Sequence, residues 1–589
     1  MAATQAAVAT IGNLSGSGPR AGGWLDKMHE TGIDASAGEE SASAVKPHGR
    51  RAASIAFLLV LAVTGVILLG LFLSILKLNS GTFIYTMDDP YIALALSDQI
   101  RHGNYGIYAG VHAAPASSIL FPFLLAPASG TALHPYLPLI LSWLALFATL
   151  AIVWRLFEHL RLAEDTFGIV AQAAAVLLLV ICLNLVGVAF CGLEHSLHIA
   201  AVAACVYGLA LFLDTGKMPA WLPPVIVINP MLRYEGLALS LGALLVIALR
   251  GRWRTAAGTF AFIVLFMGGF SAFLVSLGLP PLPSSILSKS DVVASGLGSA
   301  TTGLFYSIGQ NALDMDMIPV GALVLVIGVA AAARCLLELP ARPWRWTSQG
   351  LMALLLVCLI GAHAVAGRFG WLHRYEDYAL LGTALMGICI MRETIRSTLL
   401  NKKRRIVLFC AAAVALLVFC SPYVRSTWLV PFYANNIYEQ QFQMHRFVNG
   451  FYRAPVAVND LGLVSYHNPN FVLDLGGLAS EEARILRSGD ADADAYRAFV
   501  DRNGVHLVII YDEWFEDQIP ASWVKVASMD LSRELVSCNQ KEVQFYATDA
   551  STAGKLRPEL ESFSSGLPPG VKLTIYSPAA DAKREAAKF

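Results

Sequence analysis

Eleven apolar runs, each bounded by Arg, Lys, Gly or Pro, constrain this chain more than any other feature. They lie at roughly 52–76, 133–154, 167–189, 196–213, 219–231, 236–249, 256–277, 317–337, 348–366, 376–391 and 405–421. A helix of about 20 apolar residues crosses a bilayer with all its backbone polar groups satisfied internally. Most of these runs have that length. Only 14% of the 589 residues are charged, against about 25% in soluble domains. The expected class is a polytopic α-helical membrane protein with about eleven transmembrane helices. The runs 219–231 and 236–249 are short and contain or follow Pro223, Pro224 and Pro230. They read as a broken or tilted pair, which a bilayer tolerates only where protein or a cavity covers the backbone.

Charge sets the expected orientation. Residues 1–48 are rich in Ala, Gly, Ser and Thr and read as a disordered cytoplasmic tail without a signal peptide. Arg50 and Arg51 abut the first run and place that tail inside by the positive-inside rule. Under alternating crossings, fifteen Lys and Arg between Arg155 and Arg405 fall on inner loops. Arg101, Arg233, Lys289, Arg368 and Arg374 fall on outer ones. That bias supports eleven crossings over 49–425, followed by an outer α/β domain over 426–589. In that domain, Ala454–Asn459, Phe471–Leu475 and Val505–Tyr511 read as buried strands, and Glu481–Ser488 and Ala493–Asp501 as helices. Net charge is zero and no basic stripe with interleaved aromatics occurs, so nucleic acid is not an expected partner. Nine cysteines without a CxxC predict neither a disulfide framework nor a zinc site.

The chemistry-bearing candidates share the expected outer face. Asp88 and Asp89, in Tyr85-Thr86-Met87-Asp88-Asp89-Pro90-Tyr91, follow the first crossing. An acid before proline often caps a helix, and Asp89 reads as a cap for a helix over Pro90–His102. The alternative is a catalytic base that takes a proton from an acceptor hydroxyl. By that contrast Asp88 is the freer of the two. Outer cations run against the positive-inside bias and suit an anionic ligand, such as a lipid phosphate. Otherwise they snorkel or pair with acids. Arg233 has Glu235 nearby, and Arg374 is followed by Tyr375. Lys289 ends Pro283-Ser284-Ser285-Ile286-Leu287-Ser288-Lys289. Glu194, His195 and His198 offer substrate hydrogen bonds or a helix start, and their spacing fixes no third metal ligand.

In order and expected sidedness, these pieces resemble the GT-C glycosyltransferases, membrane enzymes that take sugars from polyprenyl-phosphate donors. Asp88-Asp89 matches the acid after the first crossing. Gly192-Leu193-Glu194-His195-Ser196 is similar to a Gly-Met-Glu-Thr/Ser stretch, and Arg233-Tyr234-Glu235-Gly236 to Arg-Pro-Glu/Asp-Gly. Pro283–Lys289 is similar to a Pro-Asn/Ser-Thr-x-x-x-Lys loop, and Arg374-Tyr375 to a late Arg-Tyr pair. Asn459-Asp460-Leu461-Gly462 and Asp474-Leu475-Gly476-Gly477-Leu478 resemble the soluble domain of bacterial members. The resemblance covers roughly 80–589, toward the branch with mycobacterial arabinofuranosyltransferases and lipopolysaccharide sugar transferases. It implies a bacterial inner-membrane enzyme with a periplasmic C-terminal domain and a glycan or glycolipid acceptor. It also implies Asp88 or Asp89 as base, Lys289 and Arg374 on the donor phosphate, and Ser284, Glu194, His195, Arg233, Glu235 and Tyr375 on substrate. A divalent metal, Mg²⁺ or Mn²⁺, is used by some relatives and not by others. A flippase for a lipid-linked sugar and a non-enzymatic assembly protein are the rival readings. Tyr234, where proline is usual, and His195, where a small residue is common, depart from the pattern.

Overall fold

The computed structural model describes residues 47–289, 318–342, 345–489 and 491–576. Compact units divide at Arg51: Met1–Arg51, described only from Pro47, and Ala52–Phe589, which holds every later element. The expected tail over 1–48 therefore lies almost wholly outside the described residues, as does the side chain of Lys289.

Eleven helices run from the start of the described chain to residue 289. They are α1 (Pro47–Leu78), α2 (Asp89–Arg101), α3 (Phe121–Leu125), α4 (Leu137–His159), α5 (Thr166–Cys182) and α6 (Leu185–Ala189). Then come α7 (His195–Thr215), α8 (Leu222–Leu232), α9 (Gly236–Leu249), α10 (Trp253–Ser276) and α11 (Ser284–Lys289). Further helices span Ile318–Glu338, Ser348–Ala366, Asp377–Ile390, Arg392–Leu400, Arg405–Phe419 and Ser421–Glu439. Every apolar run contains a helix. Among the described residues six helices are long and apolar enough to cross a bilayer, or up to eight if each of two bent pairs is one span. The protein is thus a multi-pass helical membrane protein. Length supports six to eight crossings, because α5, α8 and α9 are apolar but shorter. On α1, Leu58, Val66 and Leu73 are exposed while Val60, Leu68 and Ile75 are buried. A long helix that exposes so much apolar surface is at rest only in lipid.

The α8–α9 pair is a true break. With 11 and 14 residues, these helices reach about 17 and 21 Å at 1.5 Å per residue, short of a hydrocarbon core about 30 Å thick. Pro230 lies inside α8, where it lacks the N–H that would continue the ladder. The Ile226 carbonyl that Pro230 cannot serve accepts from Ser240 Oγ at 2.8 Å instead, and Asn229 Nδ2 donates to Gly236 O at 3.0 Å across the break. The break Arg233–Glu235 is thereby fixed beside the start of α7 and the segment before Asp377. The opposite helix ends hold one another separately: Arg392 pairs with Asp214 at 2.7 Å, Arg396 with Glu164, Arg405 with Asp165, and Arg250 Nη2 reaches Ser348 Oγ at 3.4 Å.

After the helices comes a six-stranded sheet of β1 (Val456–Val458), β2 (Val472–Asp474), β3 (Leu507–Ile510), β4 (Val524–Asp530), β5 (Glu542–Ala547) and β6 (Lys572–Ile575). Its order is β2-β1-β3-β5-β4-β6. The first three are parallel, with Ala457 opposite Leu473 and Val508, and the rest pair antiparallel. Parallel strands covered on both faces read as unbroken apolar runs, and β1, β2 and β3 are buried at every position. Alternate residues divide between two cores. Val456, Val458, Leu507 and Ile509 join the core that continues into the helical part, while Ala457, Leu473, Val508 and Ile510 pack with Tyr496 and Phe499 of the helix Ala493–Arg502. The expected first three strands and both expected helices are present. The antiparallel half and the helix Ala550–Ser564 are additional. The helix Ser421–Glu439 runs across residue 425, where composition changes.

Candidate functional site

The stretch 85–91 is held rigidly before either acid is considered. Tyr85 OH donates to Pro135 O at 2.7 Å and accepts from Leu139 N at 3.2 Å, at the start of α4. Thr86 N donates to Phe190 O at 3.4 Å. Gly192 has φ +66°, and a Cβ there would lie 2.4 Å from the Tyr85 ring, so only glycine lets the 190–192 loop approach.

The two aspartates then part company. Asp88 Oδ2 accepts from Gly462 N at 2.7 Å and Oδ1 from Leu463 N at 2.8 Å. A Cβ at Gly462 would lie 2.3 Å from Asp88 O, so the backbones are in direct contact. Asp460 is next to this pair, with Oδ2 3.0 Å from Gln441 Nε2 and 2.9 Å from Tyr511 OH. Burial, then Asp460, pushes the Asp88 carboxyl above the usual range; burial raises Asp460 as well. Asp89 points elsewhere, with Oδ2 2.8 Å from Arg374 Nη2. Asp89 is the first residue of α2 and not its N-cap, contrary to the cap expected of it. The N-cap residue is Asp88, and its side chain makes no bond to the helix because Gly462 and Leu463 take it.

Arg374 is 2% exposed. Its Nη2 also reaches Tyr375 OH at 3.0 Å, its guanidinium carbon is 4.8 Å from the Tyr375 ring centroid, and Nη1 contacts Met87 Sδ. The turn that delivers it is unusual: Gly370, Trp371, Leu372 and His373 have φ of 85°, 46°, 65° and 54°. Each non-glycine residue there costs about 1–2 kcal/mol. Outside bonds hold the turn: Asn184 Nδ2 donates to Leu372 O at 3.0 Å and Gly370 N to Glu376 Oε2 at 3.1 Å.

Arg233 forms a second buried knot in the α8–α9 break. Nη1 lies 2.8 Å from both Glu194 Oε1 and His195 Nε2, and Nη2 lies 2.6 Å from Glu235 Oε1. Ser117 Oγ donates to the same Glu194 oxygen at 3.2 Å. Burial would raise Glu235, but Arg233 overrides it and holds the carboxyl down at about 2. Arg233 is therefore committed to orienting acids, whereas Arg374 has one carboxylate and a buried Nε–H with no partner among the described residues.

These pieces enclose a cavity of about 280 Å³. Asp89, Glu194, His195, Arg233, Glu235, Arg374 and Tyr375 line it, drawn from segments nearly 300 residues apart. Asp88 does not. Nor does Ser284, whose N–H donates to Ala114 O at 2.9 Å; Ser285 lines it instead. His198 faces the Tyr378 ring, with centroids 4.6 Å apart, so Glu194, His195 and His198 do not converge on a metal. Ser117 is a lining residue that motif spacing did not single out; Tyr234, Arg368 and Leu478, marked in the sequence only as a departure, an outer cation and part of a loop, line it too. Leu478 arrives because Asp474 accepts from Gly476 N and Ala479 N at 2.7 and 2.6 Å and winds the loop after β2. Three carboxylates face three guanidiniums, so the lining is formally neutral. Tyr234 OH, Glu235 Oε2, Ser285 Oγ and Arg374 Nε are buried without partners among the described residues. Such a set suits a small ligand that is rich in hydroxyls and carries an anionic group.

Residues 435–546 match a family described as a domain of unknown function, DUF8728. No curated protein matches the sequence. The apo oligosaccharyltransferase of Archaeoglobus fulgidus is similar to the chain at 10% identity and TM-score 0.44, over 80% of this chain and 73% of that one. The oligosaccharyltransferase AglB of the same organism, in complex with an inhibitory peptide and a dolichol-phosphate, matches at 11% identity and TM-score 0.38, over 87% and 75%. The chain is also similar to the mycobacterial arabinofuranosyltransferase AftD, at 14% identity and TM-score 0.35, over 85% of this chain but only 42% of AftD.

Proposed function

We propose that the chain transfers a sugar from a polyprenyl-phosphate donor to a cell-envelope glycan or glycolipid. The reaction takes place in the cavity beside Asp89, on the periplasmic side of a bacterial inner membrane. The observation that carries this reading is the lining itself. A carboxylate one-third exposed, a buried arginine with a spare donor and several hydroxyl-binding atoms unpartnered among the described residues sit at one end of lipid-spanning helices.

In this reading the acceptor hydroxyl oxygen bonds to the anomeric carbon and its proton passes to Asp89. The carbon–oxygen bond to phosphate breaks, and its electron pair stays on the phosphate oxygen, facing Arg374, with Arg368 and Lys289 as further candidates. Arg374 is shared: when phosphate draws it away, the Asp89 carboxylate loses its cation and becomes the stronger base. Glu194, His195, Glu235, Tyr234 and Ser285 orient the sugar, while Tyr375, between Arg374 and Arg233, forms a flat wall. Asp88 holds the 426–589 domain over the site. Mg²⁺ or Mn²⁺ fits this cavity poorly, since Arg374 pairs with Asp89 and Arg233 with both Glu194 and Glu235. No step is therefore routed through a metal.

The test is transfer of labelled sugar from a synthetic polyprenyl-phosphate donor by purified protein. Asp89→Asn should lower the rate about 10²–10⁴-fold, the usual worth of a general base, in protein that still unfolds cooperatively. Full transfer by Asp89→Asn would sink the proposal.

A further inference from the structure

Away from the cavity, three side chains from distant segments converge: Asp98 near the end of α2, His134 just before α4, and His467 after the short helix Gly462–Ser465. One ligand atom from each lies within 4.8 Å of the others. His467 Nε2 is 3.6 Å from Asp98 Oδ2, and His134 Nδ1 is 3.8 Å from Asp98 Oδ1.

The hydrogen bonds around His134 fix its tautomer. Ser97 Oγ lies 2.7 Å from Leu94 O and 2.8 Å from His134 Nε2; with its one proton on Leu94 O it accepts from Nε2. The proton is then on Nε2, and Nδ1 turns a lone pair toward Asp98. A carboxylate oxygen and an imidazole lone pair that face each other without a proton between them are a cation's partners. Metal-binding histidines are held in this way, by an outer hydrogen bond on the other ring nitrogen. The Tyr466 hydroxyl, 3.1 Å from Nδ1, is the group a cation displaces. His134 is fully buried, while the His467 side chain is 54% exposed. His467 is held at φ +54° and stacked on Tyr466 with centroids 3.9 Å apart, a strained backbone that its surroundings must maintain.

The geometry points to a structural zinc site formed by Asp98, His134 Nδ1 and His467 Nε2, with water as a fourth ligand. Two imidazoles and one carboxylate suit Zn²⁺, whereas Mg²⁺ prefers an octahedron of oxygens. Zn–N bonds of about 2.0–2.1 Å place tetrahedral donors about 3.3 Å apart, and the exposed His467 ring supplies the short movement needed. The site uses no cysteine, so Cys spacing could not signal it. It pins α2 and the start of α4 to the segment whose other end Asp88 grips, and it stands whether or not the chain transfers sugar.

The experiment is zinc content of the purified full chain after exposure to Zn²⁺ and desalting, with thermal unfolding read with and without added Zn²⁺. Wild type should hold about one zinc per chain and unfold at higher temperature with the ion. His467→Asn keeps a residue tolerant of positive φ; it and Asp98→Asn should each lose at least tenfold in zinc content and the thermal shift, while His112→Asn keeps both. Equal zinc in all four proteins would mean adventitious binding only. No zinc in wild type would mean only an Asp98–His467 ion pair. Either result overturns the site.

Discussion

Asp88 and Asp89 occupy helical backbone at the start of α2, so their side chains diverge by about 100° around the axis. One consecutive pair therefore serves two places, a clamp on Gly462 and Leu463 and a wall of the cavity. Asp88→Asn should lower the unfolding temperature above about pH 8, where the wild-type carboxylate accepts from both N–H groups and one of them would instead face an NH₂ group; an unmet buried donor costs about 1–3 kcal/mol. Asp89→Asn should lower transfer by about 10²–10⁴-fold and also lower the unfolding temperature, since it takes the carboxylate from buried Arg374. Unchanged unfolding in Asp88→Asn would remove the clamp. The motif order brought Glu194, Arg233, Glu235 and Arg374 to attention as a group, because each stands beside a helix end, and the fold gathers them around one cavity. It could not separate Asp88 from Asp89, whose partners lie hundreds of residues away. Nor could it choose Ser285 over Ser284, which differ only in phase on one short helix.

The α8–α9 break shows what an element contributes when it is interrupted. Asn229→Ala leaves the Gly236 carbonyl without its side-chain donor. It should destabilise the chain by about 1–3 kcal/mol, read as a lower unfolding temperature in detergent. Transfer should fall too, since Arg233 and Glu235 are placed by that backbone. Equal unfolding in mutant and wild type would show that the break holds without Asn229. Gly462→Ala sets a methyl against Asp88 O and should cost about 1–3 kcal/mol by overpacking. The prolines around 223–230 made this irregularity legible in advance, as the apolar runs did the helices. The strands β4, β5 and β6 were harder to see: β6 is exposed or half-buried throughout, and β4 carries a bulge between Lys525 and Ala527, which interrupts a period-two pattern.

At the scale of the whole molecule, the sheet and the helices share one core, and the polar seam between them includes two neighbouring buried carboxyls. Burial and proximity raise Asp88, and burial raises Asp460, so the folded chain keeps a proton that the unfolded chain releases near pH 3.9. Their contribution is thus full below that value and is lost as pH rises through the raised range. Stability should decline between about pH 5 and 8, and the decline should be shallower in Asp88→Asn; identical slopes would show that the seam does not titrate. No local pattern announces such a seam, because each acid looks solvated until the other segment arrives. Gly462 follows Asp88 by 374 positions. At about 5–20 residues per second, a ribosome needs roughly 20–75 s to make that stretch. Every crossing helix after α1 is synthesised during this interval, while Asp88 still lacks its partners. The corner beside Asp89 is therefore among the last parts of the protein to mature, and a chain cut short before Gly462 enters the membrane with its first loop unclamped.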